Sequence, residues 1–246
     1  MDYCLQLNPG KTEIMVLGPS HILKQISIHG TRLPNGTCIR FASTSKNLGI
    51  IFDCNLGFTE HIRMVKQHSF RLLRQIKKLR NIFSVEQLKL LVNSLVICRL
   101  DYCNALFAGI STKDMSQLQI VQNAAAKTVM GLKKYDSLGE TLKKLHWLPV
   151  AERIQFKILL VVYKCLANQG PEYLKELLRY NFSNSTPFLQ ESRTHSSCGD
   201  RAFQYLAPRL WNKLPTEIKT SLSVESFKAS LKTHLFMKVY NDCNSS

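Results

Sequence analysis

The sequence predicts an α+β protein, with a small antiparallel β unit followed by a mostly helical domain and a C-terminal helical segment. Three observations carry this reading. Up to residue 56, short apolar runs alternate with turn residues. From residue 58 onward, apolar residues recur at steps of three and four, the period of a helix with one buried face. Beyond residue 83, helix-opening signals recur at Ser84, Ser111 and Ser137, each with Gln, Asp or Glu three residues later. The expected division is a β unit over 1–56, a helical domain over 57–180, a polar loop over 181–200 and a C-terminal extension over 201–246.

In the β unit, Thr12 to Leu17 is an apolar run after the Asn8, Pro9, Gly10 turn signal. Ile26 to Ile28 and Cys38 to Phe41 alternate apolar and polar residues. Leu33 to Gly36 between them is a turn, because Pro presets φ and Gly accepts positive φ. Leu48 to Phe52 is expected to be a further buried strand, all within one small sheet. The next element is a helix over 58–82 with Ile62, Val65, Ser69, Leu72, Ile76, Leu79 and Phe83 on one stripe. A helix from Ser84 is expected to bury Leu88, Leu91, Leu95 and Cys98. One from Ser111 buries Met115, Leu118, Val121 and Ala125 and ends near Gly131. A short helix from Ser137 leads toward Leu145. Pro149 suits a first helical position, ahead of a stripe of Ile154, Ile158, Val161 and Cys165. Ser223 is placed to cap a last helix through Phe227, Leu231 and Leu235.

The chain has 246 residues, 45% of them hydrophobic, enough for a sizeable core. Its 33 Lys and Arg against 17 Asp and Glu give a formal charge of +16, which favours polyanionic partners. None of the eight cysteines forms a Cys-x-x-Cys pair, and the first residues lack a secretory pattern. Reduced thiols in an intracellular protein, nuclear or cytoplasmic, are expected. No apolar run approaches the roughly 20 residues that span a bilayer, so no membrane partner is expected.

The basic charge is concentrated on the helix over 58–82, where Arg63, Lys66, Arg71, Arg74, Lys77, Lys78 and Arg80 face one nearby acid, Glu60. An ordinary solvated face interleaves both signs. This one is the candidate phosphate-contact surface, binding RNA or DNA through the backbone without reading sequence. Lys143, Lys144, Arg153 and Lys157 are secondary candidates. His61 and His68 are expected in solvent, and His146 and Trp147 in the core. His195 and Cys198 have a metal-ligand spacing, but no second Cys or His pair lies near them in sequence, so a plain loop is expected. No catalytic residue, metal or cofactor is assigned.

Five stretches, in order along the chain, resemble one family. They are Leu7 to Glu13 (LNPGKTE), Asn47 to Asp53 (NLGIIFD), Leu100 to Asn104 (LDYCN), Leu145 to Pro149 (LHWLP) and Ala207 to Pro215 (APRLWNKLP). Together they resemble the C-terminal part of a LINE-type (non-LTR) retrotransposon reverse transcriptase. The resemblance implies the end of a polymerase palm, a thumb and a C-terminal extension. In that family the palm carries a Tyr-x-Asp-Asp turn that positions Mg2+ ions. Residues 7–13 resemble the family's segment just downstream of that turn, and the seven aspartates here are scattered with no Asp-Asp pair. The resemblance therefore implies a chain without polymerase activity of its own. Lys11 matches the family's lysine near the incoming nucleotide, and here is expected to be a solvated turn residue. Three alternatives stay open: a helical protein-interaction module with exposed apolar faces, a vestigial product without selected activity, and a polymerase part active only with a separate palm and fingers.

Overall fold

Turn chemistry shapes the start of the chain. In the computed structural model the described residues are 8–25, 30–32, 36, 38–132, 138–181, 188–192, 194 and 199–241. They form an α+β structure that divides into two compact units, Met1–Met64 and Val65–Ser246.

In the first unit, a short helix α1 (Ser20–Leu23) precedes two hairpins. Strands β1 (Gly30–Arg32) and β2 (Cys38–Arg40) pair antiparallel, Gly30 opposite Arg40. Strands β3 (Thr44–Asn47) and β4 (Ile50–Asp53) pair antiparallel, Asn47 opposite Ile50. Leu48 (φ 46°) and Gly49 (φ 86°) close this second hairpin. Two consecutive positive φ values make the two-residue turn whose twist matches its strands. Leu48 is consequently 84% exposed at the tip. The expected strand over Leu48 to Phe52 is thus shifted: it runs from Ile50 to Asp53, and the expectation missed its partner strand Thr44–Asn47. A turn beginning with an apolar residue gives no compositional signal.

Thr12 to Leu17 is likewise corrected. It forms no named strand; Ile14 makes an isolated parallel bridge to Phe41, and its carbonyl accepts from the Ala42 N–H at 2.8 Å. Separate two-stranded sheets replace the single sheet expected. The Ile26 to Ile28 run and Leu33 to Asn35 lie outside the described residues. After β4, Asp53 Oδ1 accepts from the N–H groups of Asn55 (3.1 Å) and Gly57 (2.7 Å), turning the chain into helix α2 (Thr59–Lys78). Phe58, just ahead of α2, packs edge-on to Phe52 at 5.6 Å.

The second unit is helical. Ser84 opens α3 (Val85–Val92) with a complete capping box. Its hydroxyl oxygen accepts from the Gln87 N–H, and Gln87 Oε1 accepts from the Ser84 N–H. The helix then widens into one π turn, Asn93–Ile97, before α4 (Cys98–Asp101). The wider turn rotates the buried stripe. Leu88, Val92, Val96, Ile97 and Leu100 are buried, while Leu95 and Cys98 of the expected stripe are exposed. A constant 3.6-residue period could not anticipate that shift.

Helix α5 (Thr112–Met130) buries Leu118, Val121 and Ala125 and ends at Gly131 with φ 72°, as its sequence signals require. The short helix expected after residue 137 is α6 (Leu138–Lys144); Ser137, its proposed cap, is outside the described residues. Helix α7 (Val150–Leu166) starts one residue later than expected, with Pro149 as its cap residue. Pro149 has no side-chain oxygen, so the Val150 N–H donates to Gln119 Oε1 of α5 at 2.9 Å. The neighbouring buried Gln122 donates to the Leu148 carbonyl at 2.8 Å. These two glutamines tie the segment before α7 to α5.

Helix α8 (Glu172–Lys175) follows. The expected polar loop over 181–200 is partly structured, because strands β5 (Tyr180–Asn181) and β6 (Phe188–Leu189) pair antiparallel. Asn212, from the tail motif, holds β6 like a third strand: its Nδ2 donates to the Leu189 carbonyl at 2.9 Å and its Oδ1 accepts from the Leu189 N–H at 3.1 Å. Helices α9 (Phe203–Asn212), α10 (Thr216–Lys219) and α11 (Val224–Asn241) complete the unit. Ser223 caps α11, accepting from the Ser226 N–H at 3.1 Å. Both α9 and α11 pack on α7. At that junction Phe227 stacks on Tyr163, with ring centroids 4.2 Å apart, and on Trp211 at 6.0 Å.

Candidate nucleic-acid interface

An amphipathic helix positions the basic residues. In α2, Ile62, Val65, Ser69, Leu73 and Ile76 are buried. At 100° per residue, Arg71, Arg74 and Lys78 fall together on the opposite side, with Lys77 on its flank. All four are exposed, and none forms an ion pair among the described residues. Helix α2 ends at Lys78, so Leu79 and Phe83 of the expected stripe lie beyond it, and Leu79 is exposed.

The other three expected contacts are engaged. Arg63, in the first unit, pairs with Glu60 through Nη2 at 2.5 Å and Nε at 3.0 Å. The Arg63 hydrogen bond holds the Glu60 carboxyl below its ordinary range, and Glu60 in turn raises Arg63. Lys66 donates to Gln117 of α5. Arg80 lies against the C-terminal turn of α5, its guanidinium 1.5 Å from where a Cβ on Gly131 would sit. A side chain at Gly131 would push this guanidinium aside, and the positive φ there favours glycine in any case. Of the seven residues, the structure therefore leaves Arg71, Arg74, Lys77 and Lys78 as one open cationic face.

Around this face, His68, Arg71 and Leu72 line a shallow hollow with Arg99. Arg99 joins the hollow as well; its Nε donates to the carbonyl of Leu95, a residue of the π turn, at 3.1 Å. The expectation for His61 is corrected. Its side chain is 3% exposed and its Nδ1 accepts from the Ile51 N–H at 3.3 Å. Burial pushes its pKa below the ordinary histidine value. The signal for this was its position beside Ile62 on the apolar side of α2. Lys11 is exposed in a 3-10 turn over Pro9–Lys11.

The secondary candidates separate too. Arg153 is committed to Asp101, with Nε 2.8 Å from Oδ1 and Nη2 on Oδ2. Lys157 and Lys144 are exposed and Lys143 is half-buried. Trp147 is buried as expected, but His146 is not: it is exposed, has φ 55°, and its ring stacks on Phe236 at 5.7 Å. His195 and Cys198 lie outside the described residues. No described helix is long and apolar enough to cross a membrane.

Comparison with protein-family models, with curated proteins and with solved structures finds no match to this chain.

Proposed function

We propose that this chain binds RNA or DNA non-catalytically and without sequence preference, through phosphate contacts made by Arg71, Arg74, Lys77 and Lys78. The observation that carries the reading is the open face itself: four exposed cations on one side of α2 with no ion-pair partner among the described residues. Guanidinium and ammonium groups in that arrangement replace condensed counterions along a phosphate backbone, so affinity falls steeply with salt. The net charge of +16 adds long-range attraction. The five motifs that resemble a LINE-type reverse transcriptase support the same reading, with 1–56 as palm-derived and the helical part as thumb-like. In that setting the partner is a template–primer duplex. The test is binding to a labelled RNA–DNA hybrid across a salt series, for the parent chain and for a variant with Arg71, Arg74, Lys77 and Lys78 changed to Gln. The log–log salt slope is expected to shrink by about one for each phosphate contact removed. An unchanged slope removes the proposal.

A second reading, a protein-interaction module, has its own observation: Leu90 is 68% exposed and Leu95 39% exposed. Large apolar side chains this open on one helical stretch are ones that a partner could cover. Light scattering after size exclusion is then expected to show association that rises with concentration and is reduced by Leu90→Lys with Leu95→Lys. A monomer at every concentration eliminates this reading.

A further inference from the structure

The α2 face leaves unexplained a cavity of about 600 Å³ in the second unit. Two of the sequence motifs, far apart in the chain, come together to build it. Asp101 and Asn104 come from one, and Leu145 to Leu148 from the other. The second segment is held by the Gln119 and Gln122 bonds to Val150 and Leu148. Asn93 and Ile97 of the π turn also line the cavity, and such turns recur at functional sites.

Three properties define what fits. The first is an apolar wall that includes Trp147, Leu148 and Phe156. The second is positive charge. Lys89, Lys157 and Lys232 line the cavity, and none has an ion-pair partner among the described residues. Arg153 does not add to this excess, because Asp101 already neutralises it. The third is an unmatched acceptor. Asn104 is 1% exposed; its Nδ2 donates to Asp101 Oδ1 at 3.5 Å, and its Oδ1 has no partner among the described residues. The Asp101 carboxylate claims the amide nitrogen, so the oxygen is the atom left over. A buried acceptor without a donor is uncommon in folded proteins. Asn104 lines the cavity, but this oxygen is covered, so a donor seated there reaches it through a turn of the Asn104 side chain toward the cavity.

We propose that this cavity binds a single nucleotide. The flat base lies along the wall of Trp147 and Phe156, an amine N–H of the base donates to Asn104 Oδ1, and the phosphate is held by Lys157 and Lys232. The volume lies within the ordinary range for small-molecule sites. A bare anion leaves the apolar wall and the Asn104 oxygen unmatched, and a neutral aromatic leaves the lysines unmatched. A nucleotide answers all three. A free mononucleotide and the unstacked end of a single strand present this same chemistry. The proposal does not depend on phosphate contact by α2.

Calorimetric titration of the whole chain with AMP tests it, beside adenosine, inorganic phosphate and purine riboside 5′-monophosphate, which lacks the amine. A further arm uses a 5′-phosphorylated single-stranded oligonucleotide against the same strand without the phosphate. AMP is expected to bind saturably and about tenfold or more tighter than each of the three comparison compounds. Lys157→Glu with Lys232→Glu, both surface changes that leave the melting temperature in place, is expected to weaken AMP by at least about tenfold. The variant with Arg71, Arg74, Lys77 and Lys78 changed to Gln is expected to keep its AMP affinity, which separates this site from the α2 face. Binding of the phosphorylated strand end alone, lost in the Lys157 and Lys232 variant, also supports the proposal and identifies the strand as the source. It is overturned if neither AMP nor the strand end binds saturably, if phosphate or purine riboside monophosphate binds as well as AMP, or if charge reversal at Lys157 and Lys232 changes nothing.

Discussion

The two units solve the problem of burial differently. In the first, two hairpins of three and four residues per strand each stand alone as two-stranded sheets. A lone hairpin is marginal in water, because each strand keeps one unpaired edge and little side-chain area is covered. Among the described residues of this unit the buried apolar ones are Ile39, Ile50, Phe58 and Ile62. In the second unit, helices satisfy their own backbone bonds and bring large side chains together, with Trp211, Tyr163 and Phe227 in one aromatic stack. A helix pairs its backbone groups within its own segment, so packing there buries side chains without leaving an open backbone edge. Stability is therefore expected to reside in the second unit, and function that needs rigid positioning to reside there too.

The sharpest way to break this comparison is at Trp211. It is 1% exposed, and its removal takes the largest fully buried side chain out of the second unit. Trp211→Ala is expected to cost about 3–5 kcal/mol, read as a shift in the midpoint of denaturant unfolding. A loss below about 1 kcal/mol, the scale of ordinary surface changes, means that the core of this unit is not where the structure places it. The same substitution leaves residues 44–53 untouched in chain and composition. Their hydrogen exchange then serves as an internal control for which unit unfolds.

How far the sequence revealed this architecture depended on how local each signal is. The helices of the second unit were legible where the cap and the stop are written in adjacent residues. Ser84 with Gln87, Ser111, Gly131 and Ser223 all act as read. What escaped were features set by distant partners. The π turn at Asn93–Ile97 moved the buried stripe off Leu95 and Cys98. The β5–β6 pair depends on Asn212, more than twenty residues away, whose amide stands in for a strand. The candidate interface was legible as a charge pattern, but not the loss of three members from it. Arg63 goes to Glu60, Lys66 to Gln117 and Arg80 to the α5 terminus. The first of these was visible as an i, i+3 pair; the other two require the tertiary structure. The cavity was less legible still, because Asn104 and Trp147 meet only through the fold.

The smallest expected effect concerns the first unit, and it turns on His61. Burial lowers its pKa below the ordinary value of 6.5, and its Nδ1 accepts from the Ile51 N–H only while unprotonated. The folded form thus prefers the neutral ring, whereas the unfolded chain takes up the proton first. The stability it supports is present above the unfolded value and is lost as pH falls through the lowered folded value. Hydrogen exchange of residues 44–53 is therefore expected to quicken between about pH 7.5 and pH 5, after correction for the intrinsic rate. His61→Asn keeps an acceptor near the Ile51 N–H and removes the titration. It is expected to abolish the extra quickening while residues 150–166 exchange as before. If the parent chain shows no such dependence, the β4–α2 contact is not held by the neutral imidazole. If residues 150–166 quicken as well, the two units do not differ in the way their burial predicts.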